Sequence, residues 1–263
     1  MATIQFTKTL QAQYEDLYTR MEIRLDKLSI VEKHVDQILQ NKSRYQAVAE
    51  PLGIPWYFVG IIHSMESSRN FSRHLHNGDP LTARTVQVPR GRPKTGNPPF
   101  SWEESATDAL KYHNLHQIAD WSLVRILYEF ERYNGWGYRM YHAHVYSPYL
   151  WSYSNQYSKG KYIADGTWSE TAASQQIGAV VLLRRLEERK EISLVAQLTA
   201  AKLTAAGQPF FTYSKRVEPR ADDLQRFLNT FDGVTLLVDG VPGKMTSEAV
   251  KKLFGHYLPN TPE

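Results

Sequence analysis

The chain has 263 residues, 42% hydrophobic and 22% charged, enough to bury a core in one or two domains and unlike a disordered or fibrous sequence. A net charge of +4 suits an acidic polymer such as bacterial wall or nucleic acid, but no Lys/Arg run or zinc-ligand spacing occurs, which argues against nucleic acid. The absence of cysteine excludes disulfide frameworks, thiolate catalysis and cysteine-held metals.

The N-terminal stretch mixes charged with apolar residues and lacks the hydrophobic core of a signal segment. No apolar run approaches the roughly 18 residues of a membrane span, so membrane insertion is not expected. Such a protein has either lost a leader or leaves its cell by another route. Apolar residues at three- and four-residue spacing predict helices over Ile4 to Ile23 and Ser29 to Leu52. The Gly53-Ile54-Pro55 step breaks the second and puts Pro55 in the first turn of a third helix, where its missing N–H costs little. That helix is expected to end near Ser68. Phe58, Ile61, Ile62 and Met65 share one stripe of it, and Glu66 lies beside the stripe between Val59 and Ile62. Two readings of Glu66 stand: a solvated residue at the stripe's edge, or a carboxylate held against apolar neighbours.

His74 to Phe100 is rich in Gly, Pro, Asn and Thr and too long for an ordinary connection. It predicts a functional lip or a small β-hairpin, with Thr85 to Val88 as the strand-like part. Asp79 sits in Asn-Gly-Asp-Pro and reads as a turn residue or a functional carboxylate; Thr85 reads as strand or as its partner. His74 and His76 lie two apart, but no third ligand is evident and no metal is expected. Helices resume at Ser101, where Ser101 and Glu104 form a capping-box pattern, so Glu103 and Glu104 read as first-turn acids. A strongly amphipathic helix over Ser122 to Asn134 follows. Tyr133 and Asn134 either close it at an Asn-Gly step or line a cleft.

An aromatic, polar loop region comes next, carrying Tyr149, Trp151, Tyr153 and Asn155. Rings of this kind stack on pyranose faces and amides bind N-acetyl groups, yet the same residues also fill cores. A last long helix is predicted over Ser169 to Lys190. A boundary near Gly207 divides the chain into 1–207 and 208–263.

The tail carries Leu224, Gln225, Leu228, Val238, Asp239, Gly240, Gly243, Thr246, Ala249 and Val250 in an order that resembles the small three-helix peptidoglycan-binding module of many wall hydrolases. Thr246 stands as a helix N-cap. The resemblance covers roughly the last fifty residues. It departs where Val241 and Pro242 replace the usual aromatic residue between the glycine turns, and where the chain closes with Leu-Phe-Gly-His-Tyr-Leu. The competing reading is a helical cap without a ligand.

Wall glycan is a β-1,4 chain, and cutting it requires a carboxylic acid still protonated near neutral pH to protonate the bridging oxygen. A desolvated Glu beside Val59, Ile62 and Met65 meets that need. Inversion also requires a base or water-holder across the ring, at roughly 6.5–9.5 Å from the acid. A lip bearing Asp79 and Thr85 directly after the acid's helix is placed to supply one. The stretch Gly60-Ile-Ile-His-Ser-Met-Glu-Ser-Ser68, after its Gly-Ile-Pro start, resembles the lysozyme superfamily. The likeness is to goose-type lysozymes and lytic transglycosylases, where an acid Glu followed by Ser closes a helix. The Glu66-to-Asp79 separation is similar to that between the acid and a water-positioning Asp in goose-type enzymes, and Asp79 to Thr85 resembles the Asp-x5-Thr of phage-type lysozymes. Tyr133, Asn134 and Gly135 resemble the Tyr-Asn-(Ala/Gly)-Gly segment that lines the cleft. A second downstream Asp used by some goose-type enzymes has no counterpart near Arg90.

The resemblance implies a mainly α fold: a lysozyme-like helical domain with a small β lip, then the three-helix module. It implies a cofactor-free peptidoglycan muramidase acting on glycan strands at the bacterial wall, as a monomer and in the manner of a phage-type endolysin. Glu66 is its acid, Asp79 and Thr85 hold the attacking water, and Ser67, Tyr133, Asn134, Tyr149, Trp151, Tyr153 and Asn155 line the cleft. A lytic transglycosylase, a chitinase and a non-catalytic wall-binding protein are the alternatives.

Overall fold

The computed structural model describes residues 4–164, 166–194, 211–218, 220–231 and 233–262. It is mainly helical with one small two-stranded antiparallel sheet. The chain divides into two compact units, Met1–Leu198 and Thr199–Glu263. The boundary expected near Gly207 lies outside the described residues. Among the described residues no helix is long and apolar enough to cross a membrane.

In the first unit, α1 (Lys8–Thr19) starts later than apolar spacing predicts, because the Thr7 hydroxyl accepts the Leu10 N–H and caps it there. The second predicted helix is two: α2 (Leu28–Gln40) and α3 (Lys42–Ala49), divided at Asn41, whose amide donates back to the Gln37 carbonyl. A 3-10 turn over Glu50–Leu52 ends at Gly53, which takes a left-handed φ of 65°. Pro55 then caps α4 (Trp56–Ser67).

Helix α4 is not the amphipathic surface helix that its stripe suggests. Every residue from Tyr57 to Met65 is buried, with α2, α3 and the later helix Ala179–Glu188 packed around it. Phe58 stacks on Phe130 at 4.7 Å, and each such large apolar side chain contributes roughly 1.5–3 kcal/mol by burial. Gly60 lets α2 and α3 approach, since a Cβ there would lie 3.0 Å from both Ile38 Cγ2 and Tyr45 Cδ2.

The remaining helices of this unit are α5 (Trp102–Tyr112), α6 (Leu123–Asn134), α7 (Gly137–Tyr141), α8 (Pro148–Trp151) and α9 (Ala179–Glu188). The Ser101–Glu104 capping box opens α5 as expected, and Glu103 pairs with Arg44. The hairpin is not where it was expected. Strands β1 (Lys161–Ala164) and β2 (Thr167–Ser169) pair Tyr162 with Trp168, far downstream of the lip. Between His74 and Phe100 the described backbone forms turns and bends, with a lone bridge from Arg73 to Pro80. The reason is local: side chains take the N–H groups a strand ladder would use. Asp79 Oδ2 accepts from Val86 and Gln87, and Thr85 Oγ1 accepts from Arg92.

Helix α9 is also shorter than predicted. Gly178 is extended and passes so close to α8 that a Cβ would lie 2.3 Å from the Leu150 carbonyl oxygen, which ends the helix at its N-terminal side. Residues 170–177 run instead as an irregular strap along the unit's surface.

In the second unit the described residues hold α10 (Ala221–Leu228) and α11 (Lys244–Phe254), which pack around Leu228, Leu236, Ala249, Val250 and Leu258. Gln225 is 2% exposed and ties the two together. Its Oε1 accepts from the Asp239 and Gly240 N–H groups, while its Nε2 donates to Asp239 Oδ1 at 2.7 Å and to the Val241 carbonyl at 3.0 Å. The Gln, Asp-Gly and Thr246 of the motif are thus parts of one turn-holding network.

Candidate active site

Glu66 occupies the last turn of α4, where the buried helix reaches the surface; its side chain is half-buried. Burial pushes its carboxyl up to about 7, although a 2.8 Å hydrogen bond from the Tyr149 hydroxyl to Oε1 pulls the other way. Tyr149 comes from α8, which packs on α6 and α9. Tyr133, near the end of α6, donates to the Leu75 carbonyl at 3.1 Å. Burial and then the Glu66 charge push the Tyr133 phenol well above its usual range, and Tyr149 is raised likewise. His113 stacks on Tyr133 with ring centroids 4.1 Å apart; burial and the nearby Arg132 charge hold its imidazole down at about 4. One acid thus stands beside two phenols, and near neutral pH it exists in both protonation states.

The lip meets this helix end through Gly78. A Cβ there would lie 3.3 Å from the Glu66 carbonyl oxygen, so the Asn-Gly-Asp turn rests on the last turn of α4. The next residue, Asp79, is half-buried. Burial raises its carboxyl, but N–H bonds from Gln87 and Val86 and the Asn77 amide together bring it below the usual range, so it is ionised. All three of those bonds fall on Oδ2. Thr85 is 2% exposed, and its hydroxyl braces the loop by donating to the Pro89 carbonyl while accepting from Arg92 N–H.

The other expected site residues disperse. Ser67 is buried and its hydroxyl bonds back to the His63 carbonyl. Asn134 is exposed at the end of α6, before Gly135. Trp151 is 2% exposed within the core. Tyr153 donates to the Gln175 carbonyl and lines a cavity with Ser64, two residues before Glu66 on the opposite face of α4, and with Ser68 just after the helix. The Asn155 amide is spent on the backbone of Arg20 and Glu22. Of the aromatic cluster, Tyr149 alone contacts Glu66.

Two contributors carry no signal in the sequence. His113 reaches Tyr133 from the loop after α5, and Gln176 donates at 2.7 Å to the Met65 carbonyl, just before Glu66. Neither lies in a periodic pattern, and only the fold brings them here.

The histidine pair is structural. His74 bonds Ser105 and the Ala83 carbonyl, while His76 bonds Asp108, which also holds Arg92. Among the described residues no cluster of His, Asp and Glu is arranged to hold a metal ion. No family model, curated protein or solved structure matches the chain.

Proposed function

We propose that this chain cleaves β-1,4 bonds of peptidoglycan glycan, with the first unit a lysozyme-like catalytic domain and Glu66 its general acid. The observation that carries this reading is the Glu66 carboxyl itself, raised to about 7 by burial at the open end of a buried helix. Such a group holds a proton near neutral pH and is acidic enough to release it. In the step proposed, Glu66 passes its proton to the bridging oxygen as the C1–O bond breaks. Water adds to C1 from the opposite face and passes its proton to the Asp79 carboxylate, which leaves an inverted reducing end. Asp79 is ionised, lies on the turn resting against α4, and keeps Oδ1 free of bonds among the described residues, which suits it to hold that water.

A second reading is favoured by the three N–H bonds already on Asp79 Oδ2, which make it a weak base. In a lytic transglycosylase Glu66 alone serves, first as acid and then as base, while the substrate's own muramyl hydroxyl attacks C1. The second unit would anchor either enzyme to the wall through its peptidoglycan-binding-like fold.

Mass spectrometry of digested wall sacs tests these readings. Reducing ends are expected from the hydrolase; anhydromuramyl ends would transfer the assignment to the transglycosylase. Glu66→Gln is expected to lose at least about a hundredfold in rate while still sedimenting with sacs. Undiminished release of fragments by that variant would remove Glu66 from the chemistry.

A further inference from the structure

The cavity lined by Tyr153, Ser64 and Ser68 opens beside the end of α4. Its volume is about 370 Å³, and Ile30, His34, Ser64, Arg69, Gln175 and Gln176 help to line it. Arg69 is half-buried there, and among the described residues its guanidinium makes one hydrogen bond, from Nη1 to Ser64 Oγ at 3.3 Å. Among the described residues no carboxylate pairs with it. Partial burial holds Arg69 below its usual range, and its guanidinium has no such counter-ion to offset that. Other half-buried arginines of this unit, such as Arg92, Arg132, Arg139 and Arg185, each face an acid.

The backbone around this cavity is also expensive. Ser68 (φ 51°), Arg69 (φ 62°) and Tyr153 (φ 74°) all line it, and all are non-glycine residues in the left-handed region. The turn at Ser68 and Arg69 is fixed by the Arg69 N–H bonding the His63 carbonyl at 3.0 Å, which folds the chain back beside Ser64.

We infer that this cavity binds a small carboxylate with peptide-like polar groups, held by a two-point bond from Arg69 and by the amides of Gln175 and Gln176. With Nη1 turned to Ser64, Nε and Nη2 remain to grip both oxygens of one carboxylate. The charge favours a monoanion over a phosphate. Burial lowers the His34 imidazole, its Nδ1 side bonds the Ile30 carbonyl, and among the described residues Arg69 is then the single positive charge lining the pocket. Gln176 spends Nε2 on the Met65 carbonyl, which leaves its oxygen to accept an N–H. The volume suits a ligand of a few linked residues. The assignment holds whether or not Glu66 cuts glycan.

The test uses the full chain with three probes: N-acetylglycine, a soluble muramyl dipeptide and inorganic phosphate. Calorimetry and amide resonances of Gln175 and Gln176 are the readouts. Both carboxylates are expected to bind and move those resonances, with Arg69→Gln weakening them about ten- to hundredfold. Arg69→Lys is expected to recover only part of the loss, since it cannot make the two-point bond. Tighter binding of the muramyl dipeptide would identify wall stem peptide as the source; equal binding would identify free small carboxylates. Preference for phosphate, silence of both glutamine amides, or wild-type affinity in either folded variant would overturn the inference.

Discussion

The Tyr149 hydroxyl meets Glu66 Oε1 at 2.8 Å although the two residues lie 83 positions apart. The bond and the surrounding burial act on Glu66 in opposite senses. The phenol donates a proton toward the carboxylate and so favours its charged form, while desolvation penalises that form. Burial is the larger effect, and the outcome is an acid near 7.

A dependence of stability on pH follows. An unfolded Glu titrates near 4.5, so between that value and about 7 the folded state retains a proton the unfolded state has lost. The favourable contribution is full below 4.5 and is lost as pH rises through 7. Glu66→Gln cannot ionise, and its amide oxygen still accepts from Tyr149. The variant is therefore expected to be more stable than the parent at pH 8, by on the order of 3 kcal/mol, with little difference at pH 4. Urea denaturation at the two pH values measures this; equal stability at both would mean the ionised carboxylate is freely solvated.

Tyr149→Phe removes the one effect that lowers the Glu66 pKa. The Glu66 titration, followed by carbon NMR of its carboxyl, is expected to move further upward. The alkaline limb of any glycan-cleaving activity should move with it. The lost bond costs about 1 kcal/mol of stability. A titration that stays in place would show that Tyr149 is only a packing neighbour.

Much of α4 was legible in the sequence because its signals are local. The helix start at Pro55, which is the cap and not a first-turn residue, the end near Ser68 and the Ser101–Glu104 box of α5 each depend on residues within one turn. Of the two forms expected for the segment after α4, a lip or a small hairpin, the hairpin fails for the opposite reason. Thr85 to Val88 has strand composition, but Asp79 takes the N–H groups from seven and eight residues away. The composition of Tyr149, Trp151, Tyr153 and Asn155 suits one cluster, either in a sugar cleft or in the core. Four close positions on a tight turn point to different neighbours, and only the packing of α8 decides which of them meets Glu66.

Gly178 tests the close approach that shortened α9. Its ideal Cβ would lie 2.3 Å from Leu150 O and 2.9 Å from Ser152 N, backbone atoms that cannot swing aside. Gly178→Ala is expected to destabilise the first unit by roughly 3 kcal/mol or more, because the 150–152 turn and α9 must separate. That turn also carries Tyr149, so the Glu66 titration should be disturbed with it. A thermal midpoint unchanged from the parent would contradict the geometry at this crossing.

The second unit offers a prediction on Gln225. Its near-isosteric replacement, Gln225→Leu, keeps the volume but strands the Asp239 and Gly240 N–H groups that its oxygen now satisfies. It also removes the bonds from its Nε2 to Asp239 Oδ1 and to the Val241 carbonyl. Buried donors left without partners cost about 1–3 kcal/mol each, so a loss of roughly 2–4 kcal/mol is expected, felt where α10 meets the Asp-Gly turn. Hydrogen exchange in the full chain is the suitable measure, because a two-unit protein need not unfold in one step. The Asp239 and Gly240 amides should exchange much faster in the variant, while amides of α4 keep their protection. If those two amides stay as protected as in the parent, the turn is held by its own backbone and the glutamine is dispensable to it.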